Sequence, residues 1–370
     1  MVTAALAVGA TAGLAPGARG DDISVTGAQR RVDRAVGSAI GYLAGQIGSE
    51  GRCKGEFDEQ DKHYGGKTAL CAYALLAAGV NRDQESLKRA LKWLTQAELR
   101  GTYAVAMRAC ALALVKGKEP HPQLVKDAAW LQSAAAGDGS YTYTSQAKGE
   151  AGRYDNSNSQ MAALGVWAAA QRGIEVPREY WRRTERHWKS QQQVDGGWGY
   201  VMRSGMGKTH TYGSMTAAGL ATMYICFDVL HRDRYVRPTA AQYRPITDGL
   251  KWMDKHYAAD HNPRKSLNYY YYWLFCLARV GLASGHKHFA SRDWYAECLW
   301  EVLGRQNGDG SWADGDRIPQ TAFALLFLSH GRQPVLINKL RYKGKWNVRP
   351  RDLAGLARYV HHTFERGVSW

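Results

Sequence analysis

The chain has 370 residues, with 49 Lys+Arg against 33 Asp+Glu, a formal charge of +16 and a pI near 9.6. At 45% hydrophobic and 22% charged it carries enough apolar material for a packed core, which excludes a disordered chain. The basic residues are spread without a block, so the surplus reads as a basic surface open to acidic partners and peripheral membrane contact, and nucleic acid is not expected as a partner.

Taken from the N-terminus, residues 2–18 form a small apolar stretch ahead of Arg19 and Asp21-Asp22, although no positive segment precedes it. This predicts an export signal or leader over 1–22 and a periplasmic or secreted protein, cytoplasmic if the segment is not a signal. From about residue 30 to 332 two kinds of helical run alternate. Amphipathic runs begin near residues 35, 86, 123, 178, 246 and 291; in one of them Ile246, Leu250, Met253 and Tyr257 recur at helical spacing among charges. Runs apolar nearly all round begin near Thr68, Tyr103, Asp155, Tyr212, Leu267 and Pro319, as in SQMAALGVWAAA (159–170), and such helices are buried. Pro177, and Gly79, Gly173 and Gly281, punctuate the pairs as helix starts and stops. Six buried helices alternating with six amphipathic ones predict an all-α fold, an (α/α)6 toroid with an inner ring sheathed by an outer ring. An open solenoid would keep a more regular period. Residues 333–370 read as a C-terminal extension with a helix.

A short motif recurs between the paired helices. QVDGGWGY (193–200) and QNGDGSWAD (306–314) share a frame in which Gln192 precedes Gly196 and Trp198 as Gln306 precedes Gly310 and Trp312. The spacing predicts a degenerate copy midway, near residue 255, and looser copies at Gln96, Gly101 and Tyr103 and at Gln132, Gly139 and Tyr141.

Parallel inner helices would bring six N-termini, each with free N–H groups and a partial positive charge, to one end of a central cavity. A basic residue lies within four positions before every inner run: Lys67, Arg100, Arg153, Lys208, Lys265 and Arg317. That end is therefore expected to attract an anionic group. The polar residues of the first turns are the candidates for facing the cavity. The densest set is Tyr154, Asp155, Asn156, Asn158 and Gln160; the others are His63, Tyr64 and Thr68; His210, Tyr212, Ser214 and Thr216; Asn268, Tyr269 and Tyr272; and Asp316, Gln320 and Thr321. Many are also good helix caps. Asp155 is the best candidate acid, with Tyr154, His210 and Tyr212 as catalytic partners; Lys67, Arg153, Asn156, Asn158, Lys208, Ser214, Asn268, Tyr269, Tyr272, Arg317 and Gln320 are the substrate-binding candidates.

The 13 Trp and 21 Tyr far outnumber the 7 Phe, which suits walls that meet a ligand. Six cysteines without a C-x-x-C pair, and no P-loop, G-x-G-x-x-G or G-x-S-x-G, predict no metal and no cofactor. The pairs His286/His288 and His361/His362 lack a spaced third ligand.

The two Gly-Trp segments resemble the QW repeats of the terpenoid cyclase and protein prenyltransferase superfamily, whose members are α/α toroids. The whole chain is similar to bacterial prenyltransferase/squalene-oxidase-repeat proteins, squalene-cyclase-like in scaffold. In that resemblance Gln192, Trp198, Gln306 and Trp312 are structural, tying outer to inner helices. The Asp-x-Asp-Asp acid motif of squalene–hopene-type cyclases and the Asp-x-Cys zinc motif of prenyltransferases are missing; the nearest string is Asp314-Gly315-Asp316-Arg317. The leading expectation is a small-molecule toroid that binds, and in one version transforms, an isoprenoid or other elongated apolar ligand with an anionic head. A polysaccharide lyase (Asn156, Tyr154, His210, Arg153) or hydrolase (Asp155 with Asp316), and a non-catalytic binding or assembly module, stay open beside it.

Overall fold

The computed structural model describes residues 25–330, apart from 116, 118, 120, 146–153, 201, 204–206, 232–242 and 313–314, with scattered positions beyond 330. The outer helices are α1 (Val25–Gln46), α3 (Glu85–Gln96), α5 (Pro122–Ala134), α7 (Arg178–Gln191), α9 (Arg244–His256) and α11 (Trp294–Gly304). The inner helices are α2 (Gly66–Ala77), α4 (Thr102–Leu114), α6 (Asn156–Gln171), α8 (Gly213–Leu230), α10 (Tyr270–Ser284) and α12 (Arg317–His330). The twelve coincide with the twelve predicted runs, most within three residues; α1 starts ten residues early.

Each inner helix packs on the next, and α12 returns to α2, so the inner ring closes and the solenoid is excluded. Their first turns meet at one end. Lys67 of α2 pairs with Asp316 before α12 at 2.6 Å, Thr102 N donates to Tyr143 O before α6, Asn156 N to Tyr200 O before α8, and Gly213 N to Pro263 O before α10. The inner helices therefore run parallel. By length and composition α8 could cross a membrane, but it is 89% buried in the ring, as the all-round apolar pattern of a core helix requires.

The joints between outer helices repeat one turn four times. Gly51, Gly139, Gly196 and Gly310 take φ of +88°, +89°, +86° and +86°, and each donates its N–H to the carbonyl three residues back. A Cβ at any of them would lie 2.4–2.6 Å from the backbone of the next outer helix, at Arg89, Arg183, Asp248 and Ser38, so the close approach and the positive φ both demand glycine. Two residues on, Tyr141, Trp198 and Trp312 reach back to the outer helix just left: Tyr141 OH donates to Leu131 O, Trp198 Nε1 to Trp188 O and Trp312 Nε1 to Val302 O, at 2.7–2.8 Å. Gln192 and Gln306 reach forward to Pro245 O and Ala35 O of the following outer helix. The last of these joins α11 to α1 and closes the outer ring.

Two of the expected copies are corrected. Gly101 caps α4 with Tyr103 in its first turn, and α9 runs unbroken through residue 255. The copy missed by sequence is at 48–53, where Cys53 stands in the aromatic position.

Most of the C-terminal extension, Arg153, and His361 and His362 lie outside the described residues. So do the side chain of Lys208 and the leader over 1–22.

Candidate functional site

The first turns of the inner helices are held by protein acceptors. Asp155 is the N-cap of α6 and is buried; its Oδ1 accepts from Asn158 N at 2.8 Å and Ser157 Oγ at 2.5 Å, and its Oδ2 from Asn158 Nδ2 at 2.6 Å. Glu56 does the same for α2 from a distance, accepting from Lys67 N, Thr68 N and Thr68 Oγ1. Burial pushes the Glu56 carboxyl up, and these bonds pull against it. Asn262 Oδ1 accepts from Ser214 N, and Asp316 Oδ1 from Ile318 N. The amide ends converge as expected, but carboxylates and amides of the chain itself already occupy them.

The cations before the helices are likewise engaged. Lys67 is paired with Asp316, Arg317 with Asp309 at 3.2 Å and Arg100 with Glu98 at 3.5 Å, while Lys265 lies 4.9 Å from the ring centre of Tyr212. Among the described residues this corrects the picture of an open cationic mouth: Lys67, Arg100 and Arg317 are paired with acids, and Lys265 lies over a tyrosine ring.

Several candidates turn away from the interior. Thr68, Thr216 and Thr321 accept through their hydroxyls from the backbone N–H of Cys53, Trp198 and Trp312, as Ser159, not a sequence candidate, does from Tyr141, which docks each glycine turn on its inner helix. Asn156 bridges Gly199 O and His187 Nε2, and Tyr154 packs edge-on against His187, so both face outer helix α7. His210 is exposed, as are Asn268 and Tyr269, and Ser214 is buried against Asn262. Gln320 is half-buried in the first turns of α12.

His187 is buried, and burial lowers its pKa to about 4, with Asp138 pulling weakly upward. It is neutral in the fold and donates Nε2–H to Asn156 Oδ1. An unfolded histidine titrates near 6.5, so the stability this site contributes is complete above that value and is lost as pH falls toward 4, by about 3 kcal/mol. Urea unfolding at pH 7.5 and 4.5 should show that loss, and His187→Gln, whose amide can still donate, should flatten it. An equal pH dependence in the variant would refute the assignment.

What the ring does present at its mouth is aromatic. Tyr143 OH and Tyr200 OH share a hydrogen bond of 2.9 Å, His63 meets the Tyr143 ring at 5.2 Å, and Tyr212 and Tyr269 complete the lip. Burial, with the Asp155 charge added, raises the Tyr103, Tyr143, Tyr200 and Tyr212 phenols, so all four stay protonated donors at neutral pH.

Below the lip a polar chain crosses the interior. Gln160 of α6 donates from Nε2 to Tyr272 OH of α10 at 2.8 Å and accepts at Oε1 from Arg279 Nη1 of α10 at 2.5 Å. Helices α6 and α10 are separated in the ring by α8, so this contact spans the lumen. Tyr272 meets Phe323 of α12 at 5.5 Å, and Phe275 meets it at 5.2 Å. Burial pushes up the Tyr73 phenol of α2 and raises the Cys110 thiol of α4 to about 12, and the Arg279 charge across the ring pulls against both. Tyr73, Tyr103 and Arg279 keep part of their surface accessible although they stand on inner helices, so the interior is not packed solid. Tyr272 and Gln160 were singled out by sequence; Arg279 was missed, its signal being one charge in the apolar helix YYYWLFCLARVGLAS. Among the described residues no group of three or more His, Cys, Asp or Glu could hold a metal.

Solved structures share this architecture. The type II terpene cyclase MstE from Scytonema, in complex with geranylgeranyl dihydroxybenzoate, matches with a TM-score of 0.57 at 14% identity, over 82% of this chain and 98% of that one. The chain is an α/α toroid of terpenoid cyclase-like fold. The same toroid matches an inactive α-1,6-mannanase of Salegentibacter in complex with α-1,6-mannotriose, at a TM-score of 0.60 and 6% identity over 80% of this chain and 98% of that one. It also matches a cellobiose 2-epimerase from Spirochaeta thermophila, at 0.56 and 11% over 84% and 98%. No family model matches the chain, and no curated protein does. Identities this low establish the toroid and leave its ligand to the site itself.

Proposed function

We propose that this toroid binds an elongated, largely apolar small molecule of isoprenoid type in its ring interior. The observation that carries the reading is aromatic surface on the inner helices of a closed ring: Tyr73 and Tyr103 are only partly buried there, and Tyr272 and Phe275 meet Phe323, the kind of wall that packs against alkene and methyl groups. A toroid of this fold that accepts a geranylgeranyl compound supports it, although another accepts an oligosaccharide. The reading is one of binding. Asp155 and Glu56, the buried carboxylates at the mouth, have helix-capping work for both oxygens, and protonating an alkene would take one of them from its cap.

The test is a calorimetric and thermal-unfolding titration with geranylgeraniol. One saturating site per chain is expected, and at a hundredfold excess over Kd the folded state gains about 2.7 kcal/mol, a rise of several degrees in Tm. No stabilisation by geranylgeraniol, together with binding of oligogalacturonate or mannotriose, would replace this reading with the saccharide one. A cleft of about 260 Å³ outside the lumen, lined by Tyr64, Trp93, Glu59 and Glu98, is where such a sugar would be sought.

A further inference from the structure

We infer that Arg279 is the seat of a single carboxylate carried by the ligand, so that the molecule taken into the ring is an apolar acid. The inference rests on the binding reading above and adds the ligand's head group and its position.

The inner helices α4 and α10 each carry one arginine in an otherwise apolar sequence, Arg108 wholly buried and Arg279 partly so. Arg108 meets Asp127 of α5 through two hydrogen bonds, at 2.6 and 2.9 Å, and its remaining nitrogen is spent on Leu94 O and Ala97 O. Arg279 turns inward. Its one polar contact is Gln160, a neutral amide; it forms no ion pair among the described residues, and its Nη2 is buried with no acceptor. A guanidinium nitrogen withdrawn from water without an acceptor is costly, and the cost is removed by an anion brought in with the ligand. The groups around the free Nη2 suit one end of such a molecule: the Phe275 ring lies 5.5 Å from the guanidinium carbon, and Tyr272 and Phe323 stand beside it. Arg279 lies nine residues into α10, about 14 Å down the helix at ~1.5 Å per residue, and a long side chain leans back toward its own N-terminus. The head group is therefore held inside the ring, with its apolar body running between the aromatic walls.

The charge count selects the head group. One guanidinium offers a single positive charge and a free N–H edge, which matches a carboxylate. A diphosphate brings several negative charges, and Lys67 and Arg317 at the mouth are already paired with acids.

The test compares geranylgeranoic acid, geranylgeraniol and geranylgeranyl diphosphate by calorimetry on the whole chain and on Arg279→Met and Arg279→Lys. The wild type is expected to bind the acid at least tenfold more tightly than the alcohol, and the diphosphate no better than the alcohol. Arg279→Met should lose the preference for the acid while keeping the alcohol, Arg279→Lys should retain part of it, and unliganded Arg279→Met should melt at or above wild type, which a purely structural arginine would not allow. Equal affinity of the wild type for acid and alcohol, or a preference for the diphosphate, overturns this inference and leaves the binding reading standing. Failure of the wild type to bind any of the three overturns the reading and the inference together. The head-group comparison on the wild type decides the matter even if the methionine variant does not fold.

Discussion

Replacing Arg108 with methionine is expected to lower the free energy of unfolding by about 3–5 kcal/mol. Both partners of the ion pair are almost wholly buried, with side chains 4% and 2% exposed. The arginine does more than meet Asp127, because Nη1 also satisfies two carbonyls, Leu94 O in α3 and Ala97 O just after it. One side chain thus joins an inner helix to two outer ones. Removing it leaves Asp127 charged in the interior with Gln123 Nε2 at 3.0 Å as its remaining side-chain donor. The double variant Arg108→Met/Asp127→Leu removes both charges and should recover much of the loss, since it is the widowed carboxylate that is expensive. Urea unfolding of the single and double variants checks this; a loss below 1 kcal/mol in the single variant would show that the pair is not buried as described.

The second large effect is expected at Trp198. Its indole is fully buried, lies where a Cβ on Gly219 or Gly249 would strike it, and meets the Trp188 ring at 6.4 Å. Trp198→Ala removes that packing and the bond to Trp188 O, and should cost about 3–5 kcal/mol. Trp198→Phe keeps much of the volume and should cost less, while Gly219→Ala should destabilise by pushing on an unchanged indole. Thermal unfolding of the three orders them. If Trp198→Ala and Trp198→Phe melt alike, the indole N–H and not the packing holds the joint between α7 and α8.

The toroid was legible because the signals that carry it are local. A helix apolar all round has nowhere to go but the inside, and glycine before tryptophan marks a backbone that must bend at positive φ against a neighbour. The copy at 48–53 escaped because Cys53 replaces the aromatic residue, leaving only Gly51 to mark it. The site was less legible, for a geometric reason. Sequence places a residue in the first turn of a helix but does not say which side of that turn faces the lumen: Thr68, Thr216 and Thr321 face the glycine turns, and Asn156 faces α7. Of the mouth cations, Lys67, Arg100 and Arg317 pair with Asp316, Glu98 and Asp309, acids that the same stretches of chain supply. Arg108 and Arg279 look alike in sequence, each a lone charge in an apolar helix. What separates them is that an outer helix supplies an aspartate to one, while the lumen supplies the other only the neutral amide of Gln160.

A ligand is expected to sit in the ring interior. Hydrogen exchange read by mass spectrometry, with and without saturating geranylgeranoic acid, addresses that claim most directly. Slowed exchange is expected in the facing inner helices α2, α4, α6 and α10, with the outer helices α3, α5 and α9 unchanged. Protection confined to the outer helices, or to the cleft beside Tyr64 and Trp93, would contradict it.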